Sequence, residues 1–202
     1  KKVWRTLFVI TIAVPQFVSL LLMRNFLNDH GPLNGLLQTL HLTNGPIPFL
    51  TDPLWAKFSI IFVNMWIGIP FTMLVATGII MNLPTEQIEA AEIDGASKFQ
   101  IFKSITFPQI LLIMAPSLIQ QFIGNINNFN VIYFLTGGGP KNSEYYQAGS
   151  TDLLVTWLYK LTVSAKDYNL ASVIGILIFA ISATFSLLAY TRSSSFKEGA
   201  AK

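Results

Sequence analysis

Leu170–Tyr190 is a run of 21 residues with no charged side chain. At 1.5 Å per residue a helix of that length measures about 31 Å, the thickness of a bilayer's hydrocarbon core. Three more blocks share this character. Phe58–Leu83 is uncharged, with Lys57 before it and Pro84 after it. Val3–Met23 carries Arg5 near one end, Arg24 beyond the other and Pro15 inside; Phe107–Leu135 is uncharged but rich in amides. Only 11% of the chain is charged, against about 25% in an ordinary soluble domain. The pattern predicts an all-α membrane protein with four membrane-spanning helices. It excludes the disordered and collagen-like classes. Pro15, Pro70 and Pro116 fall inside blocks, where neighbouring helices can satisfy the freed carbonyls.

Several chemistries are absent from the sequence. There is no cysteine, hence no disulfide framework, thiolate metal site or cysteine nucleophile. His30 and His41 fall in a loop and read as solvated residues, too few for most metal sites. The net charge is +3, from singly scattered basic residues, and no basic run with interleaved aromatics suggests nucleic acid. Gly137-Gly138-Gly139-Pro140-Lys141 lacks the spacing of a phosphate-binding loop. Asp29, Asp52 and Asp152 are loop carboxylates without a partner acid at useful spacing, so no catalytic constellation is visible. The Val3–Met23 block contains Pro15 and Gln16 and no small-residue cleavage pattern follows, so it is not read as a signal peptide. Because the chain opens on Lys1 and enters an apolar block at once, it is expected to be the C-terminal part of a longer membrane protein.

The segments between blocks read as connections. Asn28–Pro53 holds Gly31-Pro32, Asn44-Gly45-Pro46, Pro48 and Pro53, which is turn chemistry. Thr136–Pro140 ends the fourth block sharply, and Thr151–Ser164 predicts a short interfacial helix carrying Trp157 and Tyr159. Placing both chain ends and the Pro84–Thr106 loop inside puts eight Lys/Arg there and five outside, in keeping with the positive-inside rule. Within that inner loop Thr85 is positioned to cap a helix beginning Glu86-Gln87, and Gly95 to end it. Ser97-Lys98-Phe99-Gln100 reads as a capping box opening a second short helix. The plain reading is a well-capped connector pair.

Glu89-Ala90-Ala91, then Gly95, then Ile105-Thr106-Phe107-Pro108 resembles the EAA signature of bacterial ABC importer permeases, with Phe107 where leucine is usual. Asn127-Asn128-Phe129, Leu135–Pro140, Gly149–Val155, Ala13-Val14-Pro15 and Trp66-x-Gly68-x-Pro70 are similar to the larger membrane subunit of maltose and maltodextrin importers. The resemblance covers essentially all 202 residues. It implies a partial type I ABC importer transmembrane domain over residues 1–202, with a cytoplasmic coupling helix pair at residues 84–108, in the bacterial cytoplasmic membrane. It further implies a second permease subunit, two ATP-binding subunits and an extracytoplasmic sugar-binding protein as partners. ATP and Mg would be bound by those partners, with no cofactor in this chain. Glu89, Ala90, Ala91, Gly95, Ile105 and Pro108 would couple it to the ATPase.

Gln121, Asn125 and Asn128 recur at helical spacing and would line one face of the fourth block, with Asn127 and Asn130 on the neighbouring arc. On the second block Asn64, Gly68, Phe71 and Val75 share a face. Amides in an apolar span either bridge helices or meet a polar ligand, and they suit sugar hydroxyls because each offers donors and acceptors. The resemblance implies sugar contacts at Ile67, Gly68, Phe71, Gln121, Gly124, Asn125 and Asn128, most simply for maltose or maltodextrin. Gln121 and Gly124 depart from that family's pattern, an amide for a hydroxyl and a glycine for an aromatic, which suggests a roomier pocket. Another oligosaccharide or small polar solute is the alternative. An ion-gradient transporter, the competing class, commonly carries intramembrane carboxylates; the four blocks hold none.

Overall fold

The computed structural model describes Thr6, Ile10 and residues 12–192. Among them no strand occurs, only an isolated bridge between Lys141 and Gly149. In chain order the helices are α1 (Gln16–Phe26), α2 (Pro32–Thr39), α3 (Pro53–Met81), α4 (Glu86–Ile93) and α5 (Lys98–Ile101). A π-helical turn, Phe102–Thr106, leads into α6 (Phe107–Ile126); α7 (Phe129–Leu135), α8 (Leu154–Lys160) and α9 (Tyr168–Arg192) follow, with a second π turn at Leu161–Ala165.

Three of these stretches are long and apolar enough to cross a membrane: Pro53–Met81, Lys98–Ile126 and Tyr168–Thr191. At most 17% of each apolar window is buried within the chain, so their side chains face outward. Lipid or partner helices suit such surfaces; water does not. The expected Val3–Met23 span lies partly outside the described residues, as do Lys1, Lys2, Arg5, Lys197 and Lys202. What is described of it departs from a continuous helix. Ile12 and Ala13 are helical, Val14 bends, and Pro15 is extended (ψ 132°) before α1 begins. Proline lacks the amide that would carry the helix through.

The fourth block also differs from the expectation. Its helix begins at Lys98, not Phe107, and stops at Ile126, not Leu135. Pro108 cannot donate to the carbonyl four residues back, and the π turn absorbs the defect: the Phe107 amide donates to the Phe102 carbonyl, five residues back. The second short helix of the predicted pair is therefore the start of the span itself. Likewise the loop Asn28–Pro53 contains α2, because Gly31-Pro32 is a helix start with proline in the first turn. Buried Asn34 pins the rest of that loop. Its amide donates to the Asn28 and Ile47 carbonyls (3.2 and 3.0 Å) and accepts from the Ile47 amide (2.8 Å).

The described residues form two compact units. The first comprises those up to Pro70 together with Gly124–Ser182. Leu20 and Leu27 of α1, Val63 of α3, and Val131 and Leu135 of α7 make its main core, with Phe49 and Leu50 packed against it. Leu161, Ala171 and Ile174 form a second cluster joining α8 to α9. Asp52 starts α3 by accepting from the Leu54 and Trp55 amides (2.9 and 3.0 Å). The second unit comprises Phe71–Ile123 and the described residues from Ala183. Leu83, Ile110 and Met114 are its core, lined by Val75, Ala76 and Ile79, and Phe122 stacks on Phe185 at 4.6 Å.

The loop after α7 in the first unit is closely built. Gly137 and Gly138 take positive φ (62° and 78°) and the Gly139–Pro140 peptide is cis. A Cβ on Gly138 would stand 1.8 Å from Asp152 Oδ1 and 2.5 Å from Lys160 Nζ. Gly138→Ala is therefore expected to lower stability by more than about 2 kcal/mol, combining steric overlap with left-handed strain. Gly45→Ala, which meets open space, should change it by less than about 0.5 kcal/mol. Thermal unfolding in detergent compares the two.

Candidate functional site

The amide-rich end of the fourth block becomes a junction rather than a stripe. α6 stops at Ile126 and α7 starts at Phe129, with Asn128 as its cap: the Asn128 Oδ1 accepts from the Val131 amide at 3.2 Å. Asn128 thus leaves the helical face expected to hold it with Gln121 and Asn125. An asparagine carbonyl offers the new helix a partner for one of its unpaired amides, and that local bond wins over continuing the helix.

The freed side chains tie helices together. Asn64 of α3 donates to Asn125 Oδ1 (2.9 Å), and Asn128 donates to Asn64 Oδ1 (2.9 Å) and more weakly to Asn125 Oδ1 (3.4 Å). Three amides therefore close a ring of hydrogen bonds between α3 and the break. Beside it Asn127 donates to Ser182 Oγ on α9 (3.0 Å), and Asn130 donates to Gln16 Oε1 on α1 (3.1 Å). In the first unit α1, α3, the end of α6, α7 and α9 meet at one polar knot.

The other predicted contact residues distribute unevenly. In the first unit, Ile67 packs against the Leu20–Val63 core, while Cβ atoms at Gly68 and Gly124 would meet open space. In the second unit, Phe71 is 52% exposed and Gln121 Oε1 accepts from Thr72 Oγ1 at 2.9 Å. The participation of Asn64 and Asn128 in one ring was foreshadowed by their amide chemistry, but the break that brings them together was not.

The helix pair in the second unit matches its predicted caps, with one difference. Thr85 occupies the cap position of α4 but its side chain makes no capping bond. The other end is a full Schellman closure: Gly95 has φ 80°, its amide donates to the Glu92 carbonyl (3.1 Å), and the Ala96 amide donates to the Ala91 carbonyl (2.9 Å). Ser97 and Gln100 form the expected capping box. Glu89 and Ala90 are exposed and Pro108 is exposed at the foot of α6. Ala91, Gly95 and Ile105 line a concavity of about 400 Å³. Two residues that sequence patterning did not single out stand beside it: Ile93 is 86% exposed and Phe99 72%.

A further cluster escaped the sequence reading. Asp152, with a side chain only 3% exposed, pairs with Lys160, and its Oδ2 also accepts from the Gly149 amide at 2.7 Å. Eight residues separate the two charges, but a turn and α8 bring them together. Nearby, hydrogen bonding to Tyr133 raises the pKa of Tyr159 above the usual phenol value.

Long apolar helices that bury little of their surface within the chain define an integral membrane domain. The chain belongs to the family described as the binding-protein-dependent transport system inner membrane component, whose model matches residues 1–195. It is 39% identical over 201 residues to the galactooligosaccharides transport system permease protein GanP of Bacillus subtilis, covering 99% of this chain and 48% of that protein. To the maltodextrin transport system permease protein MdxF of the same organism it is 39% identical over 203 residues, covering 97% of this chain and 46% of that one. The maltose/maltodextrin permease protein MalF of Vibrio parahaemolyticus is 37% identical, with 93% and 36% covered. The chain thus spans about half the length, or less, of these relatives. Among solved structures, a bacterial ABC transporter involved in the import of the acidic polysaccharide alginate superposes with a TM-score of 0.81 at 25% identity, covering 95% of this chain and 65% of that one.

The knot makes a stability prediction. Asn128→Leu removes both the α7 cap and two ring bonds and should cost about 1–3 kcal/mol. Asn128→Ser keeps a capping oxygen and should recover roughly half of that loss. Thermal unfolding of the detergent-solubilised protein reads both.

Proposed function

We propose that this chain forms part of the translocation pathway of an ATP-binding-cassette importer for a neutral oligosaccharide. The observation that carries the reading is the ring of Asn64, Asn125 and Asn128 at the end of an apolar span. The three amides bond to one another, which lowers the cost of polar groups in an apolar span. A sugar hydroxyl both donates and accepts, so it can replace each amide–amide bond without leaving a partner unpaired. Such exchange lets a polar solute pass with little net loss of hydrogen bonds at each step.

The charge pattern supports a neutral cargo. Phe58–Leu83 and Phe107–Leu135 contain no Lys or Arg, the groups an acidic polysaccharide or phosphorylated solute would call for. Maltodextrin is the first candidate, in line with relatives named for it. Galactooligosaccharide is the second, because the relative named for it covers 99% of the chain. The partners in this reading are a second permease subunit, two ATP-binding subunits and an extracytoplasmic sugar-binding protein. Ile93, within Glu89 to Gly95, and Phe99, just beyond it, give the ATPase an apolar contact on the inner side, and the Schellman closure holds the turn between them.

Two measurements test the reading in the assembled transporter. Asn125→Leu should lower uptake efficiency roughly 5- to 150-fold, the equivalent of about 1–3 kcal/mol for one unpaired buried hydroxyl, and should shift competition between maltodextrins and galactooligosaccharides. Lowered stability with unchanged sugar preference would reduce the ring to a helix bridge. Gly95→Ala places a side chain at φ 80° and should depress sugar-stimulated ATP hydrolysis at least threefold while sugar binding is retained. Loss of binding with coupling intact would reverse that assignment.

A further inference from the structure

The loop between α7 and α8, in the first unit, encloses a concavity of about 760 Å³ that the transport reading does not use. This volume lies within the range of about 300–1,000 Å³ typical of small-molecule sites. Its walls differ from the apolar surfaces of the spans. Tyr145 and Tyr146, each 58% exposed, stand with Trp157, Asn142, Glu144 and Lys57 around it.

The loop is held in place before any ligand arrives. Its neck is closed by the Ser150 amide donating to the Pro140 carbonyl (2.8 Å) and the Thr151 amide donating to the Gly138 carbonyl (3.3 Å). The Asp152–Lys160 pair braces that neck from below, filling the space that a side chain at Gly138 would need. Asn142 turns the tip by accepting from the Glu144 amide at 3.0 Å. The Trp157 indole donates to the Tyr146 carbonyl at 2.8 Å, which fixes the indole against the tyrosine segment. Rings positioned in advance cost little entropy on binding.

We infer that this concavity is a second saccharide site, one that takes a neutral oligosaccharide where the α7–α8 loop meets the first turns of α3 and α9. Tyrosine and tryptophan faces suit the apolar faces of pyranose rings while their polar edges meet hydroxyls. Asn142 and Ser150 add neutral hydrogen-bonding groups. The charges favour an uncharged ligand: Lys57 and Glu144 are of opposite sign, and Asp152 is neutralised by Lys160. The inference rests on the proposed function for its choice of ligand. It adds a place where sugar is held before it reaches the asparagine ring.

Saturation-transfer NMR on the assembled transporter in nanodiscs, without binding protein, tests the site with maltotetraose and maltoheptaose as probes. Wild type should transfer magnetisation to the sugar ring protons. Tyr145→Ala with Tyr146→Ala should cut the signal at least fivefold, Tyr145→Phe with Tyr146→Phe should retain it, and Gly45→Ala, in another loop, should leave it in place. Should the double alanine variant fail to assemble, Tyr145→Ala alone should give at least a twofold loss. No transfer in wild type, or a signal unchanged by alanine, overturns the outer site. ATP-driven uptake by the same variants reconstituted in proteoliposomes reads the proposed function separately. Uptake without transfer overturns the outer site alone, whereas alanine-sensitive transfer without uptake supports the site and overturns the importer reading.

Discussion

A polypeptide crossing hydrocarbon must satisfy its own backbone hydrogen bonds, and the interruption at Asn127-Asn128 is where this chain meets that demand by side chains. Asn128 does two things at once. Its oxygen caps α7 and its nitrogen joins the ring with Asn64 and Asn125. Asn127 and Asn130 reach Ser182 and Gln16 from the same few residues. The first unit's helices are therefore registered against one another by directional bonds, with the Leu20–Val63–Leu135 core filling the space beside them. Apolar packing alone would leave their rotation about their own axes poorly specified, since lipid is as apolar as leucine.

The proposed function uses the same bonds. An amide ring that is complete without ligand can be opened by groups carrying the same donors and acceptors. A fixed apolar wall offers nothing in exchange, and a charged site would hold its ligand too firmly or demand an opposite charge. The proposed pathway thus depends on neutral, reversible hydrogen bonding.

Away from the spans, rigidity comes from glycines in left-handed conformation and from caps. Gly95 closes α4 through two backbone bonds, and Gly137 and Gly138 turn the chain after α7. In both places a short loop becomes a fixed platform that presents side chains outward: Ile93 and Phe99 on one, Tyr145 and Tyr146 on the other. Exposure of large side chains on rigid supports is the arrangement expected of contact surfaces.

How much of this was legible beforehand depended on the range of the interaction involved. Charge-free length announced the spans Phe58–Leu83 and Leu170–Tyr190, because crossing a bilayer is a requirement on composition within one segment. The Gly95 closure and the Ser97–Gln100 box were legible for the same reason, since each is a bond between neighbours in sequence. Helix ends set by competition were not. Whether Phe107–Leu135 would run on or break at Asn127 turned on Asn128 finding Val131 and Asn64 together, and Asn64 lies 64 residues away. Pro108 gave no warning of the π turn that joins Lys98–Ile101 to the rest of the span, nor did Asp152 of its pairing with Lys160 across a turn. The sequence by itself determined that the chain is a set of apolar helices with capped connections and amides in one of them. Only the tertiary structure decided which amides meet, because a hydrogen bond between distant residues exists only once packing has brought both ends within about 3 Å.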